Sequence, residues 1–299
     1  MSNLVLVTNS SPRHIYWAKA LASTFSGVSI CIVRPERVSN KKRLKDGIKK
    51  FGYLWLMLKL MSSFYHKFTR HGFAKRLAYV ESESFKNQSL DTLPDTSEVF
   101  HSTDVNSDVT ISWINNRKPK VVCFLGGDIA RKKFFDNVTA LVLNYHSGLS
   151  PLFNGSSIAF HCVAKGRPNL SGGTLMVMNE RIDGGNILAY YLPEISESDN
   201  ASTLFLKGIQ GSVELYIDFL NYYLKNSEYH SLKQERSLNY FGSNDWTIWE
   251  DIRLKWFEGS NRMRIYKRPK NIINVYDRAM KPDLKTVYGE LLSNTLSRI

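Results

Sequence analysis

The opening of the chain already confines its fold class. Leu4–Val7 is a short apolar run of β-forming residues, ended by the turn-like Asn9-Ser10-Ser11-Pro12. A helical pattern follows from Ile15 to Phe25, and a second apolar run, Val28–Val33, stops at Pro35. Strand, helix and strand within about thirty residues begin a parallel α/β sheet. The theme returns downstream: a helix over Val109–Asn116, a strand over Val121–Leu125, a Gly126-Gly127-Asp128 turn, a helix over Ile129–Asp136, and a strand over Ala140–Leu143 that runs out at Asn144. Further strands are expected at Gly173–Met178 and Ile187–Leu192, and an amphipathic helix at Ala201–Leu224. From about residue 225, Trp and Tyr alternate with Asp, Arg and Lys, a pattern read as a small β-rich appendage. The expectation is thus α/β: a Rossmann-like core of parallel or mixed sheet over 1–224, with a small β-rich C-terminal region over 225–299. With 43% hydrophobic and 12% aromatic residues among 299, there is ample material for a core.

One segment departs from this pattern. Residues 36–76 hold twelve Lys or Arg against only Glu36 and Asp46, and Phe51–Phe68 carries Leu, Trp, Met, Phe and Tyr at helical spacing. A basic helical insertion follows, either a pair of amphipathic helices with a solvated basic face or a surface for phosphates or acidic lipid heads. Both readings keep it outside the chemistry. The formal charge of +13 over the whole chain suits a polyanionic partner without choosing among nucleic acid, acidic membrane and a phosphate-rich small ligand.

Cys31, Cys123 and Cys162 are too scattered for a disulfide framework or a zinc site. The N-terminus has no basic region ahead of its apolar run and reads as a strand, not a signal peptide. Tyr53–Met61, interrupted by Lys59, is too short to cross a bilayer. A cytoplasmic setting and no transmembrane segment are expected.

The chemistry-bearing residues concentrate in Leu141–Leu188. Asn144 and His146 lie two apart on an extended backbone and therefore point to the same side. The carboxyl end of a parallel strand is also where ligands of α/β proteins bind. A Gly/Pro-punctuated loop follows, Ser147-Gly148-Leu149-Ser150-Pro151, with Asn154-Gly155 beyond it; further on, Asp183 precedes Gly184-Gly185. An imidazole can take a proton from an attacking amine, a carboxamide can hold a carbonyl oxygen as it gains charge, and a carboxylate can orient the imidazole. Each element alone has an ordinary structural reading, because Asn-x-His ends strands and Asp-Gly-Gly makes turns.

Together they are more specific. The run Asn-Tyr-His-Ser-Gly-Leu-Ser-Pro-Leu-Phe-Asn-Gly, followed by Gly-Gly-Thr-Leu-Met-Val-Met-Asn-Glu-Arg-Ile-Asp-Gly-Gly-Asn-Ile-Leu, resembles the signature of the 10-formyltetrahydrofolate-dependent formyltransferases. The resemblance is specific over about 118–220, weak over 1–35, and absent over 36–100 and after 225. It implies a catalytic trio of Asn144, His146 and Asp183. It also implies 10-formyltetrahydrofolate as co-substrate without a metal. The pterin would lie against Leu125, Gly126, Gly127, Asp128 and Ile129 and the Ile182–Gly184 loop. Two departures fall on the acceptor side: Gly148-Leu149-Ser150-Pro151 replaces the family's Ser-Leu-Leu-Pro, and Asn154 replaces a basic residue.

The acceptor implied is the amine of a nucleotide-linked amino sugar, as in the sugar N-formyltransferases of surface polysaccharide and lipopolysaccharide biosynthesis. Ser147, Gly148, Ser150 and Asn154 would line its site, and Tyr240 and Trp246 could stack its base. Nucleic acid is not favoured: the tail is short for an RNA-binding barrel, although methionyl-tRNA, or another amine, stays open as an acceptor. A homodimer is admitted. A non-catalytic polyanion-binding protein on the same fold is the reading of another class.

Overall fold

A computed structural model describes residues 4–35, 40–69, 73–234, 237–242, 245–277 and 284–296. In chain order the first half comprises β1 (Leu4–Thr8), α1 (Pro12–Thr24), β2 (Ser29–Val33), α2 (Asn40–Thr69), α3 (Phe73–Ser84), β3 (Glu98–Ser102), α4 (Asp108–Asn116), β4 (Val121–Leu125) and α5 (Lys132–Asn137). Then follow β5 (Leu141–His146), β6 (Phe153–Gly155), α6 (Ile158–Ala164), β7 (Gly173–Val177), β8 (Asn186–Leu192), α7 (Ala201–Asn226), β9 (Asn239–Phe241), α8 (Ile248–Gly259), β10 (Asn271–Asn274) and α9 (Leu284–Leu296).

Eight strands form one mixed sheet in the order β10-β8-β7-β5-β4-β1-β2-β3. The β3-to-β5 half is parallel, and β7, β8 and β10 are added antiparallel beyond β5. β1, β2 and β4 are buried along their whole length, which is why they read as unbroken apolar runs: helices cover both faces. Leu4 and Leu6 pack with Trp17 of α1 and Phe219 of α7 on one face, while Val5 and Val7 pack with Ile114 and Phe134 on the other. α7 starts where Asn200 accepts from the Ser202 and Thr203 backbone amides, a cap that satisfies two otherwise orphaned donors.

Three expectations are corrected. β5 continues two residues past the expected end at Asn144, so Asn144 lies within the strand and His146 ends it. α5 begins three residues later than the pattern suggested, because Asp128–Ala130 is irregular and Arg131, with extended backbone, holds the cap position. The region after 225 is more helix than strand: α8 and α9 span 12 and 13 residues, against three for β9 and four for β10. Ile248, Asp251, Leu254 and Phe257 recur every three residues and are buried, and Thr247 and Glu250 form a capping box. The aromatic alternation masked this helical period. β10 pairs with β8, so this region extends the central sheet.

The 36–76 segment is helical where it is described. α2 is broken at Gly52, and its second half lies along α8. The interruption follows from Gly52's backbone, at φ 78°.

Candidate active site

β5 lies at the junction of the parallel and antiparallel halves of the sheet. Asn144 pairs in register with Phe124 of β4 and Met176 of β7, and His146 pairs with Thr174. Their side chains share one face, as spacing by two requires. Asp183 reaches them from the loop between β7 and β8, where its backbone is left-handed at φ 51°. Its Oδ1 is 3.3 Å from His146 Nδ1, and its Oδ2 accepts from the Gly155 amide at 3.1 Å. The far nitrogen of the ring, Nε2, lies 3.3 Å from the Phe153 carbonyl oxygen. A proton on Nδ1 therefore points at the carboxylate, and a proton gained at Nε2 would find an acceptor in Phe153. Gly148 packs against Nε2 so closely that a Cβ there would overlap it.

The loop after β5 is a brace for this arrangement. Ser150 Oγ donates to Asn154 Oδ1 at 2.6 Å, and Asn154 Nδ2 donates to the Asp183 carbonyl at 3.0 Å. Thr174 Oγ1 donates to Gly148 O and accepts from the Ser150 amide, while Tyr190 OH donates to Ser150 O. Ser150 is fully buried and Asn154 is 3% exposed. Both were expected to meet the acceptor. The structure instead employs their polar groups internally, fixing the loop that carries the carboxylate.

A cleft of about 270 Å³ opens beside Asn144 and Asp183. Gly126, Gly127, Asp128, Ile129 and Ile182 are among the residues that line it. Leu125 is buried beneath as part of β4, and Gly184 supports the loop by accepting from Asn179 and Arg181. Gly126 is left-handed at φ 68°, and a side chain there would overlap His14. Ile129 and Ile182 are both more than half exposed, leaving apolar surface at the cleft. Met176 and Met178 also line it and were missed. Their spacing by two was the available signal, but only the pairing of β7 with β5 places them beside Asn144.

A second cleft, of about 450 Å³, lies beyond Gly155. Ser156, Ser157, His161, Gly242 and Trp246 contribute from the core, and Lys59, Ser62, Ser63 and His66 from α2. Asp251 on α8 organises this wall: it accepts from Ser62 Oγ at 2.8 Å and Trp246 Nε1 at 2.9 Å, and its other contact is His66 Nε2 at 2.7 Å. Lys59 donates to the Trp246 carbonyl, and burial lowers its pKa. His161 stacks on Phe241 at 4.3 Å; burial, ahead of the nearby charges, lowers its pKa to about 4. Trp246 is buried at 5% exposure and makes T-shaped contacts with Phe160 and His161, so its ring is packed into the core. Tyr240 is exposed on β9, and Ser147 is half-buried after β5. The basic insertion, expected to stand apart from the chemistry, thus walls a cleft next to the loop that holds Asp183.

Residues 84–220 match the family model for formyl transferases. The chain carries a formyl transferase domain. The methionyl-tRNA formyltransferase of Nitratiruptor sp. is 33% identical over 110 residues, covering 36% of this chain and 35% of its own. That of Natranaerobius thermophilus is 22% identical over 144 residues, covering 48% and 46%. The chain therefore spans about a third to a half of the length of these curated relatives. A 4-N formyltransferase from Francisella tularensis shares the fold at 15% identity, with a TM-score of 0.51 over 84% of this chain and 86% of that one. The formyl transferase fold agrees with the mixed eight-stranded sheet.

Proposed function

We propose that this formyl transferase domain moves a formyl group from 10-formyltetrahydrofolate to the amine of a nucleotide-linked amino sugar. The observation that carries the reading is the contact of His146 Nδ1 with Asp183, on the same strand face as Asn144 and beside the first cleft. The lining of that cleft by Gly126–Ile129 and by the exposed apolar side chains of Ile129 and Ile182 supports its assignment to the flat pterin. The donor supplies a formyl carbon on an aniline-type nitrogen, a far better leaving group than an alkylamine.

The side chains have separable tasks. His146, its Nδ1 proton directed at Asp183, receives the amine proton at Nε2 and returns one to the departing nitrogen. Asn144 donates an amide N–H to the carbonyl oxygen; removal of one such donor costs about 100- to 1000-fold in rate. Asp183 holds the ring in position and stabilises its charged form. Ser150 and Asn154 keep Asp183 in place.

The second cleft is the candidate acceptor site, because it opens beside the loop that holds Asp183. The Ser63 and Ser157 hydroxyls on its wall can donate to a phosphate. Tyr240 and Ser147 remain candidates to contact the acceptor, and His161 and Lys59 join them. A screen of nucleotide amino sugars with 10-formyltetrahydrofolate, read by mass, should show one product heavier by a formyl group. Formylation of methionyl-tRNA with every amino sugar left untouched would refute the acceptor assignment. That second reading draws on the names of the relatives matched by sequence.

A further inference from the structure

The second half of α2 is built inside out. Its polar face is turned inward, with Ser62 and His66 on Asp251 and Lys59 on the Trp246 carbonyl. Its apolar face is turned outward. Tyr53, Leu54, Met57, Leu60, Met61 and Phe64 are 78%, 65%, 52%, 52%, 48% and 60% exposed. These positions recur every three or four residues and form one stripe on the side opposite α8. A helix of a globular protein ordinarily buries such a stripe, and a contiguous exposed apolar patch marks an interaction surface.

We propose that this stripe docks the protein on the surface of an anionic lipid bilayer. The charge around it selects this occupant. Residues 36–76 carry twelve basic residues against two acidic ones, and Lys45, Lys49 and Lys50 before the Gly52 break and Lys67 near the C-terminal end of α2 are exposed. A second copy of the chain would bring an identical basic segment against this one in a two-fold contact, opposing like charges. Acidic headgroups complement the lysines, while the interfacial hydrocarbon receives the stripe. No helix among the described residues is long and apolar enough to cross a membrane, and the stripe occupies one side of α2, the pattern of a helix lying in the interface. Because the opposite side of α2 walls the second cleft, docking places that cleft directly behind the membrane-facing helix.

The test is sedimentation of the full chain with vesicles of phosphatidylcholine alone or mixed with phosphatidylglycerol, at low and high salt. Binding to the mixed vesicles should exceed that to phosphatidylcholine by about tenfold or more, and should weaken with salt. The variant Leu54→Ser/Leu60→Ser/Phe64→Ser alters only exposed positions and should lose binding while melting as the parent does. Reversal of Lys45, Lys49 and Lys50 to Glu, checked by the same melting measurement, should also lower it. A parent chain that stays in the supernatant with both vesicle types overturns the proposal, as does undiminished binding by the serine variant. So does a parent dimer that the serine substitutions convert to a monomer, since a second copy would then occupy the face. None of these readouts involves formyl transfer, so the two proposals fail independently.

Discussion

Asp183→Asn isolates the role of one charge. Asp183 Oδ2 accepts from the Gly155 amide at 3.1 Å, and Oδ1 lies 3.3 Å from His146 Nδ1. An asparagine has one oxygen to serve both. If that oxygen stays on Gly155, its NH2 faces Nδ1, which must then accept; the ring proton moves to Nε2 and points at Phe153 O. If the amide flips, two donors meet at Gly155 in a site where the side chain is only 14% exposed, at a cost of about 1–3 kcal/mol. The first orientation therefore prevails, and the ring is held in the tautomer that cannot take a proton at Nε2. The same fault in a Ser-His-Asp site costs roughly ten-thousandfold in rate; a loss of about a thousand- to ten-thousand-fold is expected, or about 4–5.5 kcal/mol in the barrier. Asparagine tolerates φ 51° as readily as aspartate, so the backbone should not move. Single-turnover formyl transfer measures the rate, and nitrogen NMR of the imidazole reads the tautomer directly. A variant that keeps a tenth of the parent rate, or a ring still protonated at Nδ1, would refute the reasoning.

Gly148→Ala places a methyl group against His146 Nε2 and Phe153 O. It should lower turnover by about 100-fold and stability by about 1–3 kcal/mol, measured well below the melting temperature; parental turnover would dissociate Nε2 from the proton transfer. Asn154→Ala leaves the Ser150 hydroxyl and the Asp183 carbonyl without their partner. Urea denaturation should show about 1–3 kcal/mol lost, and kcat should fall while the acceptor KM stays near the parent value, as befits a positioning residue. His161 binds its proton only near pH 4 when folded, against about 6.5 when unfolded, so the unfolded state takes up more protons between those values. Its contribution to stability is therefore present above about pH 6.5 and declines as the pH falls toward 4. His161→Phe should flatten that slope between pH 7 and 5; an unchanged slope would contradict it.

What could be read in the sequence follows from the range of the interaction that fixes each feature. β1, β2 and β4 are buried on both faces, so each announces itself within its own five residues. Asn144 and His146 are two apart on one strand, and their shared face follows from the pleat alone. Asp183 lies far along the chain, and only a family resemblance tied it to them. Ser150 and Asn154 looked like acceptor contacts because polar residues in a loop ordinarily face solvent; their burial depends on Thr174, Tyr190 and Asp183, none of which is local. α2 shows the same limit in reverse. Its amphipathic period was plain, and the ordinary inference places the apolar side inward. The inward side is polar because Asp251, almost two hundred residues away in the chain, gathers Ser62 and His66 onto α8. A buried carboxylate needs such donors, since an unpaired one would cost several kcal/mol. The same contacts that satisfy Asp251 therefore leave the apolar stripe facing outward, so the polar wall of the second cleft and the exposed apolar surface are two sides of one helix placement.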